Sequence, residues 1–378
     1  MVLIGGIQGS ILGIFLLFRG TSKNSASDRI LSILLFSVSI DMVFYYLKLS
    51  GLAKQYPSII SISDPLYSIF GPLLYLFVQA LTSQKFIFKK KYILFFIPVF
   101  FEAILLLPFF SGTADDKLKT LLSLRYGGVE ALDYAFFWGL ELFFNLAMTV
   151  ATVISLRRYT SRLKDYLSDL GRLNLLWLRR FVYLCFVFLL LQLVFLILFT
   201  AGLSSIVTAF LWAYCLMAVC FYLISYWAIR EPKIFLPAGF EMKKTIPSDK
   251  AKAEKYQKTS LQKDKADLLT ADLVRLMEEE KLYLTNGIKI SDIAEKLSVS
   301  TNHLSQIINQ NLGENFYNFI NNYRVDEAKN LMRDPEQRQL TLIAIAMNAG
   351  FSSKSTFNKV FKEHTHKTPS EYYRSIPN

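Results

Sequence analysis

An all-α protein is predicted: a seven-helix transmembrane bundle followed by a smaller helical domain with two helix-turn-helix units joined by a long helix. Three observations predict it. The 378 residues are 53% hydrophobic and 15% aromatic, with 32 Phe and a mean hydropathy of +0.33, values that suit a chain with several membrane spans. Apolar runs recur along the first two thirds, separated by charge, Gly, Pro or Ser. In the last third the pattern changes to amphipathic helical spacing, and a motif of short helix, turn and short helix occurs twice.

The apolar runs lie at about 2–18, 30–47, 65–83, 92–110, 134–156, 181–203 and 206–229. Each is about long enough to cross the hydrocarbon core, for which roughly 17–25 residues suffice. The sixth and seventh are joined by a short turn near Ser204 and Ser205. The first run lacks a basic segment before its apolar core, so it reads as a retained span rather than a cleaved signal peptide.

Loop charge sets direction, because cytoplasmic loops carry the excess of Lys and Arg. The odd-numbered connections hold 14 basic residues, seven of them in the fifth (Arg157, Arg158, Arg162, Lys164, Arg172, Arg179, Arg180), and the even-numbered ones hold 5. The N-terminus is therefore expected outside and the C-terminus in the cytoplasm of a bacterial inner membrane. The net charge of +12 says little about nucleic acid. Residues 1–240 carry 21 Lys+Arg against 12 Asp+Glu, and residues 241–378 carry 21 against 18. Most of the excess lies between apolar runs, where it reports topology.

Asp41, Glu102 and Glu141 fall inside apolar runs, where charged groups are costly and usually face a cavity or a partner. Asn145 is one turn from Glu141 on the same helical face. Two readings stand open: a ligand pocket, favouring a cation or amine, or carboxyls satisfied by Tyr, Ser and Thr hydroxyls within the bundle. Gly71-Pro72 inside the third run marks a packing kink or a hinge. The three cysteines (Cys185, Cys215, Cys220) all sit in apolar runs, which makes neither a disulfide framework nor a metal site. All three histidines lie in the C-terminal part, which argues against haem or His-ligated zinc in the membrane half. With no nucleophile triad, Gly-rich phosphate loop or metal-ligand cluster, a non-enzymatic protein without cofactor is expected.

Domain limits are expected at 1–232 for the membrane domain, 233–262 for a polar Lys-rich linker begun by Glu231-Pro232, and 263–378 for the C-terminal domain. A supporting helix spans about Lys265 to Met277. Ile290 to Leu297, with Ser291 as its expected cap, is followed by the turn Ser298-Val299-Ser300 and a reading helix from Thr301 to Gln310. A long helix runs from about Asn315 to Met332, with Phe316, Phe319, Ile320, Tyr323, Ala328 and Leu331 as its buried set. The second unit starts near Leu340. Ala349-Gly350-Phe351 is its turn and Ser353 to Glu363 its reading helix. Ala294 and Ala346 are small where helices cross closely.

These two units, together with Tyr323-Arg324, Ala328, GFSSKSTFNKVFK (350–362) and TPSEYYR (368–374), resemble the DNA-binding domain of AraC-type regulators over roughly 265–376. The seven-run front half, including FGPLLYLF (70–77), is similar to that of membrane-integrated members. The resemblance implies that both reading helices enter successive major-groove segments of double-stranded DNA, about 34 Å apart. By matching position, Asn302, Ser305 and Gln306 would face bases in the first unit, and Lys354, Ser355, Asn358 and Lys359 in the second. His366 stands where the family usually has Gly after the second reading helix, and the cap is expected to survive, since His tolerates the left-handed region. The expected protein is a membrane-bound regulator, with bilayer and DNA as partners. An unnamed small-molecule or membrane signal would control the orientation, accessibility or homodimerisation of the DNA-reading domain. A transporter or channel with a regulatory interaction tail is the alternative.

Overall fold

The computed structural model describes residues 1–18, 25–83, 86–119, 129–170, 175–203, 211–220, 223, 263–337 and 339–376. Among these the regular structure is helical, and the only extended pairing is an isolated antiparallel bridge between Leu167 and Lys289. The chain divides into two compact units. One holds Met1–Arg157 and Leu176–Phe240, the other Arg158–Leu175 and Glu241–Asn378. The expected linker 233–262 lies outside the described residues, as does the joint at Ser204–Ser205.

In the first unit, five helical segments are long and apolar enough to cross a membrane: Ala26–Leu49, Pro57–Thr82, Lys90–Ser111, Ala135–Leu163 and Trp177–Thr200. They correspond to the second to sixth expected runs. The first and seventh runs are represented by shorter apolar helices, Val2–Phe18 and Leu211–Cys220. Much of the seventh run lies outside the described residues, so five spans rather than seven are met on length and composition. Val2–Phe18 packs along the helix Ser25–Leu49 through a face of small residues that includes Gly5, Gly6, Gly9 and Gly13, which lets two backbones approach closely. Lys90–Ser111 is a 3₁₀ stretch followed by two short helices that start next to Pro98 and Pro108. None of its apolar window is buried, and Phe100, Phe101 and Ile104 are exposed.

The third run is two helices, Asp64–Tyr67 and Phe70–Thr82. Pro72 explains the break, because it has no N–H for the carbonyl of Ser68 and its ring crowds that carbonyl. Asn145 repairs the gap. Its Oδ1 accepts from Gly71 N–H at 2.7 Å and its Nδ2 donates to the Tyr67 carbonyl at 3.1 Å. Gly71 is required by this approach, since a Cβ there would lie 2.8 Å from Met148 Cβ and 2.9 Å from Asn145 Oδ1.

The second unit is built on the long helix Phe316–Arg333, whose N-cap Asn315 accepts from Asn318 N–H. The supporting helix Lys263–Glu280 packs on the first reading helix, Thr301–Asn311, which follows the short helix Ile290–Lys296. Leu342–Asn348 and the second reading helix, Lys354–Thr365, also pack on the long helix and are capped by Thr341 and Ser353 respectively. Ala294 and Ala346 are buried at the helix crossings, as expected. Ser291 is not the cap of its helix. The helix begins at Ile290 with Lys289 as its N-cap, two residues before Ser291, and Asp292 reaches back to accept from Lys289 N–H at 2.8 Å, the reciprocal half of a capping box. Of the expected buried set on the long helix, Phe316, Phe319, Ile320 and Ala328 are buried, while Tyr323 and Leu331 are half-buried.

Candidate nucleic-acid interface

The second reading helix presents a continuous polar face. Phe357, Val360 and Phe361 point into an apolar core with Ile345, Ala346 and Phe351. The 3.6-residue period then leaves Lys354, Ser355, Asn358, Lys359 and Lys362 exposed. Ser353 fixes the start of the helix by accepting from Thr356 N–H. Its end is fixed by His366, which adopts the left-handed conformation at φ 58° and donates its N–H to the Lys362 carbonyl at 2.9 Å, so the cap is kept without glycine. Lys359 Nζ lies 3.8 Å from Glu363 Oε1 with both side chains exposed, a weak pairing that leaves the ammonium available. In the turn before this helix, Gly350 has φ 88°, and a Cβ there would sit 2.5 Å from the Tyr283 carbonyl oxygen.

The first reading helix is placed differently. Leu304, Ile307 and Ile308 are buried, and Asn302 and Gln306 are half-buried. Gln306 Nε2 donates to Gln310 Oε1 at 3.0 Å. Ser305, expected on the outward face, is buried, and its carbonyl accepts from Asn309 Nδ2 at 2.7 Å. Ser305 lies beside the fully buried Leu304 and Ile308, and so short a side chain there does not reach the surface. Asn302 Oδ1 accepts from the Tyr166 hydroxyl at 3.2 Å. His303 has its ring Nε2 buried with no hydrogen-bond partner.

Two polar groups within the family-matching residues, to which the sequence alone assigns no role, hold the frame. Arg324 is fully buried on the long helix. Its Nε donates to the Tyr283 carbonyl at 2.7 Å, one terminal nitrogen donates to the Thr285 carbonyl at 2.9 Å and the other meets Asn321 Oδ1 at 3.3 Å. The guanidinium thereby ties the long helix to the segment that follows the supporting helix, with charge-assisted bonds of the stronger class. At the C-terminus Thr368 and Glu371 form a capping box, and these hydrogen bonds hold the Glu371 carboxyl below its ordinary range.

In the membrane unit the expected acids form two separate groups. Asp41 accepts from Ser63 Oγ at 2.8 Å and from the Tyr214 hydroxyl at 2.7 Å. Glu102 and Glu141 meet at Ser68 Oγ, at 3.1 and 2.6 Å. Each carboxyl therefore lies against a hydroxyl, and Glu102 and Glu141 also hydrogen-bond to each other. Asn145 is taken up by the helix break described above. The described residues contain no group of three or more His, Cys, Asp or Glu placed to hold a metal ion.

Comparison with known proteins agrees with the C-terminal geometry. A family model described as a helix-turn-helix domain matches residues 293–375. The chain is 34% identical over 97 residues to a helix-turn-helix-type transcriptional regulator of Staphylococcus aureus (strain COL), a match that covers 26% of this chain and 13% of that protein. It is 30% identical over 107 residues to the probable transcription factor PqrA of Proteus vulgaris, covering 28% of this chain and 84% of that one. Among solved structures, a protein of unknown function from Listeria innocua matches at 25% identity with a TM-score of 0.25, over 29% of this chain and 97% of that one.

Proposed function

This chain belongs to the AraC-type helix-turn-helix transcriptional regulators, and on that premise we propose that it is a membrane-integrated, one-component regulator of transcription. The reading is carried by one observation: the same chain holds five helices apolar and long enough to span a bilayer and a tandem helix-turn-helix domain. Exposed apolar side chains along Lys90–Ser111 support a hydrocarbon surround, since water would penalise so continuous a patch. The bundle has seven spans in this reading, with the N-terminus outside and the DNA-reading domain in the cytoplasm, as loop charge requires.

The polar face Lys354, Ser355, Asn358 and Lys359 enters one major-groove segment, with the lysines also meeting phosphates. Asn302 and Gln306 read the neighbouring segment, because a carboxamide pairs bidentately with adenine. The membrane domain receives the signal, and Asp41, Glu102, Glu141 and Asn145 are where a ligand would act, by exchanging the hydroxyl and backbone partners they now hold. Any such ligand must bind the two states of the protein with different affinity.

The test is DNA selection by the full chain in lipid nanodiscs, paired with membrane fractionation of the expressed protein. Recovery in the membrane fraction together with enrichment of a shared sequence motif is expected. A soluble protein, or a membrane protein that enriches no motif while carrying substrate flux in vesicles, would overturn the reading in favour of a transporter with an interaction tail.

A further inference from the structure

Within the connection between the fifth and sixth apolar segments, residues 164–170 are not a solvated loop. Residues Arg158–Leu175 belong to the same compact unit as the helix-turn-helix domain, and Tyr166, Leu167, Ser168 and Asp169 are all buried there. Loops normally lie on the surface, because their backbone polar groups need water. Here the domain replaces the water. The Lys164 carbonyl accepts from Tyr317 N–H at 2.8 Å and the Tyr166 carbonyl from Ile290 N–H at 3.0 Å. Both donors lie in the first turn of a helix, where N–H groups have no partner within the helix. Ser168 Oγ donates to the Ile288 carbonyl at 2.6 Å, and Asn321 Nδ2 donates to the Ser168 carbonyl at 3.0 Å. Lys164 Nζ sits over the Tyr317 ring, and Leu170 packs against the core of the second helix-turn-helix unit.

Two further contacts reach the reading helices themselves. The Tyr166 hydroxyl donates to Asn302 Oδ1, and Ser352 Oγ donates to the Asp169 carboxylate. Asn302 is the second residue of the first reading helix, and Ser352 directly precedes the N-cap of the second. The N-terminal residues of a reading helix are the ones that approach base edges. A carboxylate there also repels the phosphate backbone, whose charge dominates the affinity of such domains.

We propose that Lys164–Leu170 is an autoinhibitory strap, which engages both helix-turn-helix units at the DNA-approaching ends of their reading helices and must release for DNA to bind. The proposal rests on the DNA-reading function above. The strap is covalently continuous with the apolar helices Val129–Leu163 and Leu175–Thr200. A signal that acts on those helices therefore reaches the reading helices through the chain itself.

The bridge between Leu167 and Lys289 offers a lock. Leu167→Cys with Lys289→Cys, in a chain whose Cys185, Cys215 and Cys220 are replaced by Ala, would be prepared in nanodiscs. The oxidised and reduced forms would be titrated with duplexes that the reduced form selects from a randomised library. A second variant, Tyr166→Phe with Asp169→Asn, weakens the strap without a cross-link. The proposal expects the oxidised form to bind at least about fivefold more weakly than the same sample reduced, the lower end of usual couplings between sites. It also expects the second variant to bind more tightly than the unaltered chain. Equal affinity in oxidised and reduced samples, with the disulfide verified by mass, and no gain in the second variant would overturn the strap alone. Helical, folded protein that selects no duplex in any form would overturn the DNA-reading function and the strap with it.

Discussion

The two helix-turn-helix units share one topology and differ in what their reading helices present. The second exposes five polar residues in a row along one face, over a core dominated by Phe351, Phe357 and Phe361. The first has an aliphatic core of Ile293, Leu304, Ile307 and Ile308, and of its expected base-facing residues Asn302 and Gln306 are half-buried and Ser305 is buried. Asn302 is already hydrogen-bonded within the molecule. The same motif can thus be an open surface in one copy and a partly engaged one in the other. The segment Tyr166 to Leu170 touches both units, but in the first it meets Asn302 on the reading helix and in the second it meets Ser352, ahead of the reading helix. In the second unit Lys354, Lys359 and Lys362 are exposed, and the proposed reading has Lys354 and Lys359 meet phosphates. On the proposed reading, specificity in the first rests on the carboxamides Asn302 and Gln306, which are hydrogen-bonded within the molecule.

The largest effect should come from the aromatic core. Phe361→Ala removes a fully buried ring that meets both Phe357 and Tyr372. It should cost about 3–5 kcal/mol in urea denaturation of the full chain, with loss of DNA binding. Ile307→Ala in the first unit should cost about 2–5 kcal/mol by the same rule for aliphatic side chains. A Phe361→Ala protein of unaltered stability would contradict the asymmetry between the cores.

Next in size are the contacts to DNA. Lys354→Ala or Lys359→Ala should weaken binding to all sequences and flatten the dependence of log affinity on log salt by about one unit if the lysine meets a phosphate. Gln306→Ala should instead lose about 1–3 kcal/mol of discrimination at one base pair and leave the salt slope unchanged. An identical response in both units would remove the distinction between an electrostatic and a base-reading half.

The smallest effect concerns pH. Hydrogen bonds from Thr368 depress the Glu371 carboxyl in the folded state. A depressed acid contributes stability above its unfolded value and loses it as pH falls through the folded one. Glu371→Gln should therefore narrow the stability difference between neutral and acidic solution, by a small amount because the group is exposed. Thermal denaturation from pH 7 downwards would read it, and parallel curves for the two proteins would refute the capping role.

Much of the second unit was legible in the sequence. Ala346, Gly350 and the spacing of Phe357, Val360 and Phe361 each specify one feature of a close helix crossing, a left-handed turn and a buried stripe, and all of these are local. Ser291 misled because a serine near a helix start is a good cap in isolation, whereas Asp292 sits at the better position to reach back. The role of Asn145 was half legible. Its place on the Glu141 face follows from helical period, but its pairing with Gly71 and Tyr67 joins residues more than seventy positions apart. In the sequence Tyr166 to Asp169 fall within the basic fifth connection. Their partners Ile288, Asn302, Asn321 and Ser352 lie over a hundred residues along the chain, and no periodic pattern encodes a contact of that kind. The two acids Asp165 and Asp169, beside Tyr166 and Leu167 in an otherwise basic stretch, were the available hint.

The central claim is that two reading helices act together on one face of double-stranded DNA. Hydroxyl-radical footprinting of the full chain in nanodiscs, on a duplex that it selects itself, measures this directly. The account predicts two protected segments spaced by about one helical turn, roughly 10–10.5 base pairs, with protection of the first lost in Gln306→Ala before that of the second. A single protected segment, unaffected by substitutions in Thr301–Asn311, would contradict it.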